Sequence, residues 1–181
     1  MRKPAAPRET SRPRHRTRER AKHLLVHRAN GGIHNAAIAL RLVTERLPSG
    51  GTFPPDTASF VAAGVRGTAS AARALQLLGA LVGLESASAL RDADAFVDDI
   101  EKILHAESRR HGIKLEMKVV DHGSAHPEIP VEALAEILVT ALSAVEATTP
   151  NSILKIRARE STAASGAPLA LDIDVAPGNP A

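Results

Sequence analysis

Residues 21–47, AKHLLVHRANGGIHNAAIALRLVTERL, decide how the chain is read. Val26, Ile33, Ala37, Leu40 and Leu47 recur at spacings near three, four and seven, the seam of an amphipathic helix. The run PSGGTFPP over 48–55 breaks the pattern, and Asp56 is the expected N-cap of a second helix running to about Leu84. That segment carries Val61, Val65, Ala69, Ala72, Leu75, Leu78 and Val82 at helical spacing. Its many Ala and Gly residues allow a neighbouring helix to approach closely, and Gly64, Gly67, Gly79 and Gly83 read as close-packing positions. Two such helices on a short loop predict an antiparallel hairpin. One hairpin leaves apolar surface uncovered, so a homodimer closing a four-helix bundle is expected.

Beyond a linker at 86–90 the periodicity changes. Asp92 to His111 reads as a helix with acids in its first turn and Arg109, Arg110 and His111 in its last, the polarity that the helix dipole favours, and Gly112 closes it. Ile113, Leu115, Met117 and Val119 then alternate with charged residues as a half-buried strand does. Pro130 opens a helix whose buried face is Leu134, Ile137, Leu138, Ala141, Leu142 and Val145, and two strands follow at 153–159 and 169–175. The fold class is therefore α+β: a helical hairpin over 21–85, then a small α/β unit over 91–181 with helices against one face of a mixed sheet.

Charge is distributed unevenly. The first 22 residues hold nine Lys/Arg against two Glu, a local charge of +7, and the formal total of +3 leaves −4 for the other 159 residues. Residues 1–20 read as a disordered basic tail, because no side chain after Met1 larger than Ala is apolar there to offset the entropy of ordering. The absence of Cys removes disulfides, thiolate metal sites and cysteine nucleophiles. With three Phe and neither Trp nor Tyr, the chain offers almost no platform for stacking bases, so nucleic acid is not expected as a partner apart from the tail. No apolar run approaches a bilayer span or the core of a secretory signal, which points to a cytoplasmic protein.

Four stretches in this order resemble the transmitter region of bacterial histidine kinases, a dimerising histidine-phosphotransfer hairpin followed by a kinase/gyrase-type ATPase domain. His27-Arg28-Ala29-Asn30-Gly31-Gly32-Ile33 is similar to that family's H-[ED]-x-N-N-P-L. Residues 105–117, HAESRRHGIKLEM, are similar to its passage from helix into first strand; residues 134–147, LAEILVTALSAVEA, to its nucleotide-domain helix; and residues 174–180, DVAPGNP, to its D-N-G-P-G-I-P. The resemblance implies that His27 is a phosphoacceptor, with Arg28 and Asn30 beside it. The partner it implies is the receiver domain of a response regulator, and it places a degenerate ATP site at Ser143, Asp174 and Gly178.

Helical geometry bears on His27 independently. At about 100° per residue it lies some 120° from Ile33 and 140° from Leu40, away from the apolar seam and in the direction of His34, so an exposed imidazole is expected. Gly31 and Gly32, each costing roughly 1 kcal/mol in a helix interior, fall where the family has a helix-bending proline, and a local bend is expected there. The departures matter as much. Arg28 stands where the family has an acid acting as general base, and it accepts no proton; steadying a phosphoryl group is the role left to it. The two asparagines that hold magnesium and phosphate fall at Val139 and Ser143, and valine offers Mg²⁺ no oxygen. Asp174 sits on the strand face opposite Leu169, Leu171 and Ile173, and no stretch corresponds to an ATP lid before the end at Ala181.

The expectation is a phosphorelay protein without ATP-dependent kinase activity and with no cofactor, ATP and Mg²⁺ entering only if the degenerate site still functions. Kinase-shaped phosphotransferases that lack the nucleotide site exist within the resemblance. The alternative is a catalytically inactive interaction module or a truncated sensor-kinase fragment. Metal binding by His23 and His27, or by Asp121, His122 and His126, has the weaker case, since His23 and His27 lack the carboxylate of a H-E-x-x-H pattern.

Overall fold

A computed structural model of the chain describes residues 11–45, 56–84, 93–119, 129–160 and 169–178. They form α1 (Ser11–Glu45), α2 (Thr57–Leu81), α3 (Ala93–Arg110), β1 (Lys114–Val119), α4 (Val131–Ala147), β2 (Ser152–Glu160) and β3 (Leu169–Pro177). The breaker run with Leu47, the linker and the loop holding Asp121, His122 and His126 lie outside the described residues. The class is α+β, with a three-stranded mixed sheet in the order β1-β2-β3. β1 and β2 are parallel across α4, and β3 returns antiparallel to β2 with Ile156 opposite Ile173. Among the described residues, no helix is long and apolar enough to cross a membrane.

Strand alternation fixes the two sheet faces. Leu115, Leu154 and Ile156 are buried under α3 and α4, with Met117, Leu171 and Ile173 packed alongside. The outer face carries Lys114, Glu116, Lys155 and Asp174; Lys114 pairs with Glu116 at 2.9 Å, and the register sets Lys155 opposite Asp174 and Arg157 opposite Asp172. At the sheet's end Asn151, at φ 61°, donates its backbone N–H to Gly112 and accepts one from Gly178, both at 2.9 Å. Gly112 itself, at φ 66°, closes α3 as expected, with Ile113 N–H bonded back to Ser108 at 2.8 Å.

One core runs through both of the units read from the sequence. Ala21, Leu25 and Ala29 of α1 and Leu77 and Leu81 of α2 join Phe96, Ile100 and Leu104 of α3 and Leu134, Leu138 and Leu142 of α4. The base of the hairpin is thus a third layer over the α3–α4 layer, rather than a separate body beyond a linker.

Two local readings are corrected. The basic tail expected over 1–20 is helical from Ser11, and its last turns are packed. Arginine is a good helix former, and the positive charges have partners: Arg18 with Glu136 at 3.2 Å, Arg20 with the buried Glu107 and with Glu146, while buried Thr17 donates its hydroxyl to Glu146 at 2.7 Å. Asp56 is the N-cap residue of α2, as expected; it makes no side-chain cap hydrogen bond, and its backbone carbonyl accepts the N–H groups of Ser59 and Phe60. Gly83 is not a packing position but the left-handed residue that ends α2, at φ 80° with open space around it.

The hairpin closes on small residues rather than on the large apolar seam. A Cβ built on Gly32 would lie 2.5 Å from the Gly67 carbonyl oxygen, and one on Gly67 2.6 Å from the Gly32 oxygen. Ala36 meets Gly67 and Ala39 meets Gly64, so α1 and α2 run antiparallel. Gly32 therefore answers to a helix crossing, where the sequence suggested a bend. The large residues Ile33, Leu40, Val61, Val65 and Leu75 remain at the surface.

Candidate functional site

His27 is exposed on α1, and its side chain lines a cleft of about 680 Å³ enclosed by α1, α2 and α3. Three directions divide this helix. Ala21, Leu25, Ala29, Gly32 and Ala39 are buried toward α2 and the core; Ile33 and Leu40 form an outward apolar stripe; His27 and His34 occupy the exposed polar sector between them. The expected separation of His27 from the apolar seam is present in the structure.

At the floor of the cleft stands Asp99 of α3, only 3% exposed. Its Oδ1 accepts from Arg28 Nη2 at 2.6 Å and from the Ser70 hydroxyl at 3.2 Å, and its Oδ2 from Arg73 Nε at 2.7 Å. Burial pushes the Asp99 carboxyl up, but the hydrogen bonds and positive charges of Arg28 and Arg73 outweigh it and leave the group below the usual aspartate range. Arg28 Nε is buried with no acceptor among the described residues. Lys102 pairs with Asp98 at the rim, whereas Arg66 is exposed and unpaired among the described residues. Four cationic side chains thus face two carboxylates in one cleft, a net of +2 before any contribution from His27.

No protein-family model matches this chain, and no curated protein matches it significantly.

The other candidates fall elsewhere. Asn30 is exposed and does not line the cleft; His34 is exposed one further turn pair along α1. His23 is exposed too, and no cluster of three or more His, Asp or Glu that could hold a metal ion includes it among the described residues. Ser143 does not line the cleft: its hydroxyl donates to Thr17 Oγ1 at 3.4 Å, beneath the first turns of α1. Val139, four residues earlier, is buried in the core. Asp174 is exposed on the outer sheet face opposite Lys155, as its strand parity requires. A Cβ on Gly178 would lie 2.1 Å from the Asn151 carbonyl oxygen, so this glycine serves a close backbone approach at the sheet's end. Neither of the two clefts lined by the hairpin includes Ser143, Asp174 or Gly178.

Sequence reasoning missed Asp99, Arg73, Ser70 and Arg66. The signal was present in α3: Asp99 and Glu107 lie on the same helix face as Phe96, Ile100, Ile103 and Leu104, and a carboxylate on a core-facing stripe requires cationic partners. Arg28 and Arg73 supply them for Asp99; Arg20 and Arg110 do so for Glu107.

Proposed function

We propose that this chain is a histidine-kinase-like phosphorelay protein, cytoplasmic and homodimeric, that exchanges a phosphoryl group between His27 and an aspartate of a response-regulator receiver domain without ATP-dependent kinase activity of its own. The observation that carries the reading is the exposure of His27 at the rim of a cleft with excess positive charge. An imidazole that must meet a partner's acyl phosphate has to be reachable, and cations beside it favour a dianion in transit. In the transfer, the lone pair of a neutral ring nitrogen attacks phosphorus and a P–N bond forms. The acyl P–O bond breaks, the aspartate leaves as carboxylate, and the second ring nitrogen releases its proton to solvent. Arg28 contributes no base; its role is to steady charge beside the reacting group.

Two further features support the reading. The exposed stripe of Ile33, Ala37 and Leu40 on α1, continued by Val61 and Val65 on α2, lines an apolar groove of about 460 Å³ on a different face from His27. A second copy laid on this stripe would complete a four-helix bundle and leave both His27 side chains free. On α4, the positions that resemble magnesium and phosphate ligands are Val139, which has no oxygen to offer and is buried, and Ser143, which is engaged by Thr17. These residues do not fit ATP and Mg²⁺.

The test is phosphoryl transfer from phosphorylated receiver domains of the same genome to the purified protein, with His27→Ala as control and ATP alone as a parallel donor. Transfer that disappears in the variant, with no labelling from ATP, is the expected result. No transfer from any receiver would overturn the reading and leave an interaction module.

A further inference from the structure

The polar part of the cleft has the makings of a binding site in its own right. It offers cations in excess of carboxylates, an exposed guanidinium at Arg66 that no described side chain neutralises, and a buried Arg28 N–H with no acceptor. Buried donors are nearly always paired, and an Arg28 Nε left without an acceptor marks a place where a ligand oxygen gains a hydrogen bond that the protein does not supply itself. Asn35 adds a side-chain donor along the same wall, while Leu42 and Phe60 are apolar and give an anion nothing.

We propose that the polar part of the cleft lined by Arg28, Arg66, Arg73 and Lys102 is a site for a phosphate dianion, and that it receives the phosphoryl group carried by His27. The second half deepens the function proposed above and rests on it; the first half does not. The Asp99 carboxylate is what makes the site usable. It holds Arg28 and Arg73 at fixed positions through 2.6 and 2.7 Å bonds, yet leaves Arg28 Nε and the whole of Arg66 uncommitted. Planar guanidinium forks are the groups best matched to phosphate oxygens. A dianion here meets two arginines already held in place, so little side-chain entropy is lost on binding.

The probe is inorganic phosphate, titrated at constant ionic strength against chloride, with the Arg side-chain Nε–H resonances and thermal unfolding as readouts. Saturable binding that moves the Arg28 Nε–H signal is expected. Arg66→Ala, a change at an exposed unpaired residue, should weaken it about tenfold, with partial recovery in Arg66→Lys, the scale of one charge-assisted hydrogen bond. In a third arm the protein is phosphorylated chemically with phosphoramidate; a tethered phosphoryl group in the site should abolish binding of free phosphate. Absence of saturable binding, or binding indifferent to Arg66→Ala, overturns the site. Free-phosphate binding that persists undiminished on phosphorylated His27 overturns its use by the phosphohistidine. Failure of transfer from receivers together with saturable, Arg66-dependent phosphate binding by the parent protein would sink the phosphorelay reading while leaving the anion site standing.

Discussion

Gly31 and Gly32 are neighbours in the middle of one helix, and replacing each by alanine should move stability in opposite directions. A Cβ on Gly31 meets nothing within 4 Å, so Gly31→Ala gains only the helix-propensity difference, about 1 kcal/mol in favour of folding. A Cβ on Gly32 would lie 2.5 Å from the Gly67 carbonyl oxygen and 3.0 Å from both the Ala71 Cβ and its amide nitrogen. Two of those three atoms are helix backbone, which no rotamer change moves aside. The helices must separate, loosening the contacts of Ala36 and Ala39 with α2 as well. Overpacking of this kind costs typically 1–3 kcal/mol, and a helix–helix separation belongs at the upper end; after the propensity gain, Gly32→Ala should lose about 2 kcal/mol. With a urea slope of about 2 kcal/mol/M, the two midpoints should differ by roughly 1.5 M. Equilibrium urea unfolding followed by far-UV circular dichroism measures this directly. Gly67→Ala should resemble Gly32→Ala, and the double variant should fall short of additivity, since the helices need separate only once. Equal or same-signed shifts for Gly31→Ala and Gly32→Ala would refute the close crossing.

Other expectations are as specific. Because the Asp99 carboxyl is held below its ordinary value in the folded protein, its stabilisation is complete above about pH 3.8, the unfolded-state value, and is lost as pH falls through the folded one. Asp99→Asn should cost about 3 kcal/mol at pH 7, and the gap to the parent should shrink between pH 4 and pH 2 in acid-unfolding curves. Arg20→Met keeps the apolar stem but removes a charge from Glu107, which is 1% exposed, and should cost about 1–3 kcal/mol by thermal or urea unfolding; a neutral effect would show that Arg110 alone suffices. Leu40→Glu with Val65→Glu, at side chains 66% and 62% exposed in the single chain, should leave helicity unchanged but halve the mass seen by light scattering. A parent protein that already runs as a monomer would remove the dimer from the proposal.

Element types were legible because periodicity survives in every segment: α3, α4 and all three strands begin and end within about two residues of where alternation and helical spacing place them. What the pattern could not reveal is which of two apolar faces on α1 turns inward. Large side chains dominate any seam drawn from sequence, yet Val26, Ile33 and Leu40 stay outside because the small face of Ala29, Gly32, Ala36 and Ala39 permits a closer approach. The arginines at the start of α1 were misjudged for a similar reason. Composition alone makes them a solvated tail, and only the fold brings Glu107, Glu136 and Glu146 to them. At the cleft, the exposed direction of His27 followed from angle counting, while Asp99 required a contact 71 residues away in sequence.

The depth to which α1 is embedded limits how this chain can be inherited. A helical hairpin joined by a linker would be a portable module, free to be recombined in front of other domains. Here the first turns of the hairpin lie on α4 and its base completes the core over α3, so a crossover placed at the linker would strip cover from Leu25, Leu77 and Leu81 on one product and from Leu104 and Leu138 on the other. Neither product would keep a closed core. Gene fusion can lengthen such a protein at its ends, but shuffling can transmit the hairpin only together with the α/β layers beneath it.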